Sequence, residues 1–331
     1  MKIALDAMGS DNAPRAELEG VSLALDKHHD LEVVLVGRQE IVEACTDKHS
    51  GRVHLVSASE VVGMHELPTD AVKRKRDSSM AVCMKLLREG KVDGVVSAGN
   101  TGAVLGYALT VVGPVPGVYR PTLAVVFPTV KGSGMVLDVG ANIAVKPVQL
   151  FQFGVLGATA ASYLFHKANP AVGLLNIGRE DSKGNEAISE AHRLLKESEL
   201  NFVGNIEGND ILKGAVDVVV CDGLIGNVLL KYTEGMAEVV AGMIHDYLES
   251  ESKHRIRRWF SKPVLQEFIE RLDYQEHGGA LLLGVGGTVV VGHGRSTPRA
   301  IMNALGSACR AVEGNVTEHI RKRFAAASQS A

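Results

Sequence analysis

The chain has 331 residues, 46% hydrophobic and 22% charged, with a formal net charge of −3. That length supports a large core in one big or two modest domains, and the balance is ordinary for a globular protein. So small a charge gives no global field toward nucleic acid or membrane, so nucleic acid is excluded as an expected partner and any charged partner has to be met by a local patch.

The chain opens on "KIALDAMGSD", which reaches Asp6 too soon for a signal peptide. Further short apolar runs follow, each ending in a glycine-bearing turn: "LEVVLVGR", "DGVVSAGNTG", "GMVLDVGAN", "VGLLNIGRE" and "VDVVVCDGLIGN". Continuous rather than alternating apolar strands imply burial on both faces. Strand, turn and helix in repetition imply an α/β fold: a three-layer α/β/α sandwich around a mostly parallel sheet, read as a single domain over 1–331. The uncharged stretches starting at Gly102 and Pro147 are broken by Pro114 and Pro116 or carry Gln149 and Gln152, and suit buried helices better than bilayer spans. Cys45, Cys83, Cys221 and Cys309 form no CxxC pair, so neither a zinc site nor a redox dithiol is signalled and no metal is expected.

One region departs from the pattern. Met236, Val239, Val240, Met243, Ile244, Tyr247 and Leu248 recur at helical spacing, and so do Val264, Leu265, Phe268, Ile269 and Leu272. Between them lies "ESESKHRIRRWFSKP". The spacing predicts a helical hairpin inserted at 236–275 and projecting from the sheet. The stripes suit packing against a second copy. The tip sets Arg255, Arg257 and Arg258 beside Ile256, Trp259 and Phe260, a mixture suited to an anionic membrane interface.

The glycine turns carry the candidate chemistry. Ligands of open parallel sheets bind beyond the carboxyl ends of strands, where glycine admits close approach and the next helix offers free N–H groups. "SAGNTG" reads as an anion cradle built from Ser97, Gly99, Asn100, Thr101 and Gly102, and Asn142 of "DVGAN" and Asn227 of "DGLIGN" extend the pattern. A tight strand–helix connection with a capping residue accounts for any one such turn equally well. Lys183 in "REDSKGNE" is a candidate point charge for phosphate or an oxyanion, or a solvated loop lysine. His293 in "VGHGRST" is a candidate proton donor, or a capping histidine. Lys73, Arg74, Lys75 and Arg76 form a basic run that suits an acidic partner, or a solvated face. GxxxxGK[ST], GxGxxG after the first strand, GxSxG and HExxH do not occur, which argues against an ATPase, a serine hydrolase and a zinc enzyme.

Taken together, "DAMGSDNAP", "AVKRKRDSSM", "SAGNTGAVL", "RPTLA", "LDVGAN", "NIGREDSKGNE", "VDVVVCDGLIGNVLLK" and "HGRS" resemble the acyl-carrier-protein:phosphate acyltransferase family of bacterial phospholipid synthesis, from Lys2 to about Ser296. The resemblance implies attack of inorganic phosphate on a fatty acyl-carrier thioester, giving an acyl phosphate that a membrane acyltransferase passes to glycerol 3-phosphate. It implies a fold similar to isopropylmalate dehydrogenases and phosphotransacetylases, a homodimer, no cofactor, and a cytoplasmic chain held peripherally at the inner face of the membrane. On that reading the Gly99–Gly102 turn with Asn100 and Thr101 holds phosphate, Lys183 neutralises it or the oxyanion, and Asn227 donates to the acyl carbonyl. Asp6 and His293 are candidates for positioning or for protonating the thiolate. The carrier docks on Lys73–Arg76 or the hairpin tip. Two positions depart from the family: Ser10 stands where it usually has glycine, and Ile143–Val148 lacks two usual acidic residues. A coenzyme A-dependent phosphotransacetylase, a dehydrogenase on the same fold and a non-catalytic membrane scaffold remain as competing classes.

Overall fold

The structure is a computed structural model and describes residues 1–40, 51–250 and 278–329. Its strands are β1 (Lys2–Asp6), β2 (Glu32–Gly37), β3 (Val53–Ser57), β4 (Gly94–Ser97), β5 (Thr122–Thr129), β6 (Gly132–Leu137), β7 (Val172–Leu175), β8 (Phe202–Ile206), β9 (Val218–Val220), β10 (Ala280–Leu283) and β11 (Thr288–Val291). The helices are α1 (Arg15–Lys27), α2 (Pro68–Arg74), α3 (Ser79–Arg88), α4 (Thr101–Tyr107), α5 (Pro147–Leu164), α6 (Glu186–Lys196), α7 (Gly208–Leu212), α8 (Gly223–Ser250), α9 (Pro298–Glu313) and α10 (Val316–Gln329).

All these strands form one sheet in the order β3-β2-β1-β4-β11-β10-β5-β6-β9-β7-β8. Alternate residues of each strand feed two cores. Ile3 and Leu5 of β1 join the layer of α1, α5, α6, α9 and α10, whereas Ala4 joins the layer of α2, α3, α4 and α7, with Leu229 and Leu230 of α8 packed against it. The three-layer sandwich is therefore the observed architecture.

The pairing departs from one uniform parallel sheet at its centre. β3, β2, β1, β4 and β11 pair in parallel, and so do β6, β9, β7 and β8. β10 runs antiparallel to both β11 and β5, and β5 runs antiparallel to β6. The two parallel blocks thus run in opposite directions. The turns of both blocks nonetheless meet over this antiparallel centre: those after β1, β4 and β11 bring Asp11, Thr101 and His293 there, and those after β6 and β9 bring Gly140 and Asn227.

The helix α8 begins at Gly223, a full thirteen residues before the stripe that starts at Met236. Residues 251–277, which hold Arg255, Ile256, Arg257, Arg258, Trp259 and Phe260, lie outside the described residues. Among the described helices none is long and apolar enough to cross a membrane.

Candidate active site

On the α2–α4 face of the sheet, over its antiparallel centre, lies a groove of about 480 Å³. Its floor is a row of side chains on three strands, Val291 of β11, Ala280 of β10 and Val125 of β5. One wall comes from the segments after β1, β3 and β4, with Asp11, Met64 and Thr101 respectively. The opposite wall is α8, which presents Asn227, Leu230, Lys231 and Glu234. The loop after β11 closes one end with His293 and Arg295.

The chemistry concentrates on α8 and that loop. Asn227, Lys231 and Glu234 stand at i, i+4 and i+7, one face of a helix. Lys231 Nζ lies 2.7 Å from Glu234 Oε2 and 2.9 Å from His293 Nε2. The backbone N–H of Arg295 donates to His293 Nδ1 at 3.1 Å. An imidazole that accepts at Nδ1 is neutral and carries its proton on Nε2. Burial and then the Lys231 charge hold His293 below the ordinary histidine value, which agrees with a neutral ring. The lysine ammonium, which can only donate, meets Nε2 as well, so the two contacts compete for the single lone pair of a neutral ring, and an anion in the groove would relieve that competition. The Asn227 amide is exposed beside Gly140, whose backbone at φ 134° suits glycine alone.

The turn "SAGNTG" is built differently from the sequence expectation. Ser97 Oγ donates to Asp6 Oδ2 at 2.8 Å and accepts from the Gly99 N–H. Asn100 caps α4 by accepting from the Ala103 N–H, and its Nδ2 donates to the carbonyls of Met64 and Glu66. The glycines serve packing: a Cβ on Gly99 would stand 2.9 Å from Met80 Cε, and one on Gly102 would stand 2.5 Å from Pro68 Cγ. The side chains of Ser97 and Asn100 and the Gly99 N–H are thus engaged within the protein. Of this turn, Thr101 lines the groove.

Asp6 is engaged in the same way. It is 1% exposed and accepts from Ser97 Oγ and the Met8 N–H, and burial raises its carboxyl above the ordinary aspartate value. It locks the β1 and β4 turns and does not line the groove. Asn142 belongs to a matching lock on the other side. Its N–H and its Nδ2 donate to Asp138, and Nδ2 also donates to the Pro121 carbonyl. Buried Asp138 accepts further from Leu123 and Ala141, while burial pushes its carboxyl up against the pull of those donors. Lys183 follows β7, is exposed, and does not line the groove. Within the basic run, Lys75 donates to the Val61 carbonyl and pairs with Glu66, so it is an internal tie, whereas Lys73, Arg74 and Arg76 are exposed.

The two departures from the family pattern stay clear of the chemistry. Ser10 does not adopt positive φ, so its Cβ brings no backbone strain. Ile143 and Ala144 are exposed, and neither they nor Val148 line the groove.

Comparison with known proteins settles the lineage. Residues 1–319 match the family described as "Fatty acid synthesis protein". A phosphate acyltransferase of Syntrophotalea carbinolica is 42% identical over 96% of this chain and 92% of its own length. The chain belongs to this family. More distant solved structures share the fold of this chain. A Streptococcus pyogenes phosphotransacetylase superposes with a TM-score of 0.64 at 17% identity, over 95% of this chain and 94% of that one. A Salmonella typhimurium structure assigned as a 4-hydroxythreonine-4-phosphate dehydrogenase superposes with a TM-score of 0.53 at 12% identity, over 94% and 99%. At such identities the likeness speaks for the fold.

Sequence reasoning missed Lys231, Glu234, Arg295 and Asp11. The signal for the first two was present. Asn227, Lys231 and Glu234 form a polar stripe at helical spacing inside an otherwise apolar run.

Proposed function

We propose that this chain transfers a fatty acyl group from a thioester to inorganic phosphate in the α8 groove, forming an acyl phosphate. The observation that carries the reading is the donor set of Lys231 and His293, 2.9 Å apart, with the free Asn227 amide one helical turn away on the same wall. Phosphate is an oxyanion nucleophile and a thioester is already activated, so the protein has mainly to place them and to stabilise the tetrahedral oxyanion. Lys231 and Arg295 neutralise phosphate, and His293 Nε2–H donates to it. Asn227 donates to the carbonyl oxygen as charge develops there. A neutral His293 cannot supply a proton outright, so the departing thiolate, with an ordinary pKa of about 8.5, takes its proton from solvent.

The acyl donor on this reading is an acyl-carrier protein. Such carriers are acidic. Lys73, Arg74 and Arg76 are exposed on and just after α2, beside the Met64–Glu66 loop that Asn100 pins to the groove wall. The chain acts as a homodimer, supported by an exposed apolar line along α8 through Val228, Tyr232, Met236, Val239 and Met243. Peripheral attachment at the inner face of the membrane, through the 251–277 segment of the inserted 236–275 hairpin, rests on sequence alone. The acyl phosphate then feeds a membrane glycerol-phosphate acyltransferase.

The test is phosphate-dependent release of free carrier from palmitoyl-carrier protein, with detection of acyl phosphate, beside the same assay on palmitoyl-coenzyme A. Release from the carrier that requires phosphate is expected. Turnover confined to coenzyme A moves the phosphotransacetylase reading forward, and none with either donor overturns acyl transfer.

A further inference from the structure

The groove's floor has a shape that its chemistry does not require. Val291 pairs with Ala280 across β11 and β10, and the register that sets Leu281 opposite Ala124 places Ala280 opposite Val125 and Val125 opposite Val136. Directly opposed residues share a sheet face. The row therefore reads Val, Ala, Val, Val, with the one-carbon side chain of Ala280 between branched neighbours. The missing side-chain volume makes a trough, and the groove opens over it. Leu123, Val139, Leu230 and Met64 continue the apolar lining.

The geometry points to Ala280 and Val125 as the residues that set acyl-chain length, with the fatty chain lying in this trough and its thioester carbonyl at Asn227. The inference rests on the acyl-transfer reading and deepens it. The other long arm of the substrate, the pantetheine of the carrier, carries two amides that need partners when desolvated. The trough has none to give. Its side chains are aliphatic, and the backbone groups of β11, β10 and β5 are committed to the sheet. An alkyl chain asks for nothing else, and each buried methylene is worth about fourfold in affinity.

Filling the trough then selects against length. Phosphate-dependent release is measured with hexanoyl- and palmitoyl-carrier protein for wild type, Ala280→Leu and the independent Val125→Phe. Wild type favours palmitoyl. In the variants the palmitoyl-to-hexanoyl ratio of kcat/KM falls by about 50-fold if three methylenes lose their place, while hexanoyl turnover persists. An unchanged ratio overturns the assignment, and so does an equal loss on both donors in both variants, the pattern of a blocked pantetheine arm. Absence of phosphate-dependent release in wild type overturns the acyl-transfer reading itself, which the ratio does not test.

Discussion

The two walls of the groove are made of similar residues and do opposite work. On the β4 side, Ser97, Gly99 and Asn100 look like an anion cradle, yet their donors and acceptors close on Asp6, on the α4 cap and on the Met64–Glu66 loop. On the α8 side, Asn227 and Lys231 sit in an apolar helix and look incidental, yet their polar ends face the groove. Lys231, though paired with Glu234, brings three N–H donors to the groove, whereas the Asn100 side chain has spent its donors and its acceptor inside the protein. Each wall stands on a buried carboxylate, Asp6 or Asp138, that absorbs the donors of its turns.

Substitution on the α8 wall should therefore strike chemistry. Lys231→Ala is expected to lower kcat/KM by 10²–10³-fold, the scale of a lost oxyanion donor, with little change in Tm because the side chain is half exposed. Asn227→Ala should lower kcat by about 10²-fold with phosphate KM nearly unchanged, since it acts on charge that develops in the transition state. The pair also predicts a pH effect. Burial and Lys231 hold His293 low, so the neutral ring persists at pH 7 and activity falls only below the ordinary value of about 6.5. Removing the Lys231 charge lets His293 bind its proton more readily, so the acid limb of the residual rate should move to higher pH. Glu234, Arg295 and Asp11 also face His293 and stay fixed in that comparison. A limb that does not move separates Lys231 from His293.

The three-layer sandwich was legible because continuous apolar strands and glycine turns are local signals. The site was legible only in part. Asn227 and His293 were found through turn motifs and do line the groove, and so does Thr101. Lys231 was missed because attention to turns passes over a helix interior, where its stripe with Asn227 and Glu234 shows only at a spacing of 3.6. That the side chains of Asp6, Ser97 and Asn142 bond within the protein was not legible, because a sequence does not say which donor meets which acceptor. The reversal of the sheet between β11 and β6 was invisible for a deeper reason. It depends on how β10, from the far end of the chain, enters between β11 and β5.

On the β4 wall the same kind of change should strike stability. Asn100→Ala removes a helix cap and strands the carbonyls of Met64 and Glu66, a loss of about 2 kcal/mol. Urea unfolding should show a lower midpoint at unchanged slope, while phosphate KM of the folded enzyme stays within about twofold. A raised phosphate KM at unchanged stability would return Asn100 to the ligand set and erase the contrast between the walls.

The smallest effect is expected at Lys183, the residue that sequence reasoning placed nearest the chemistry. Its loop follows β7, one strand beyond β9, and its side chain is exposed and does not line the groove. Its backbone N–H bonds to the Glu180 carbonyl and its own carbonyl accepts from Asn176, so the loop holds itself without the ammonium. Lys183→Ala should leave kcat/KM within about twofold of wild type, the range of a surface change away from a site. A loss of about 10²-fold at unchanged Tm would mean that the ammonium reaches the reacting atoms although it does not line the groove of a single chain. A second copy packed along the apolar line of α8 is the arrangement such a result would call for, and the loss should then vanish in a variant kept monomeric by Val239→Asp.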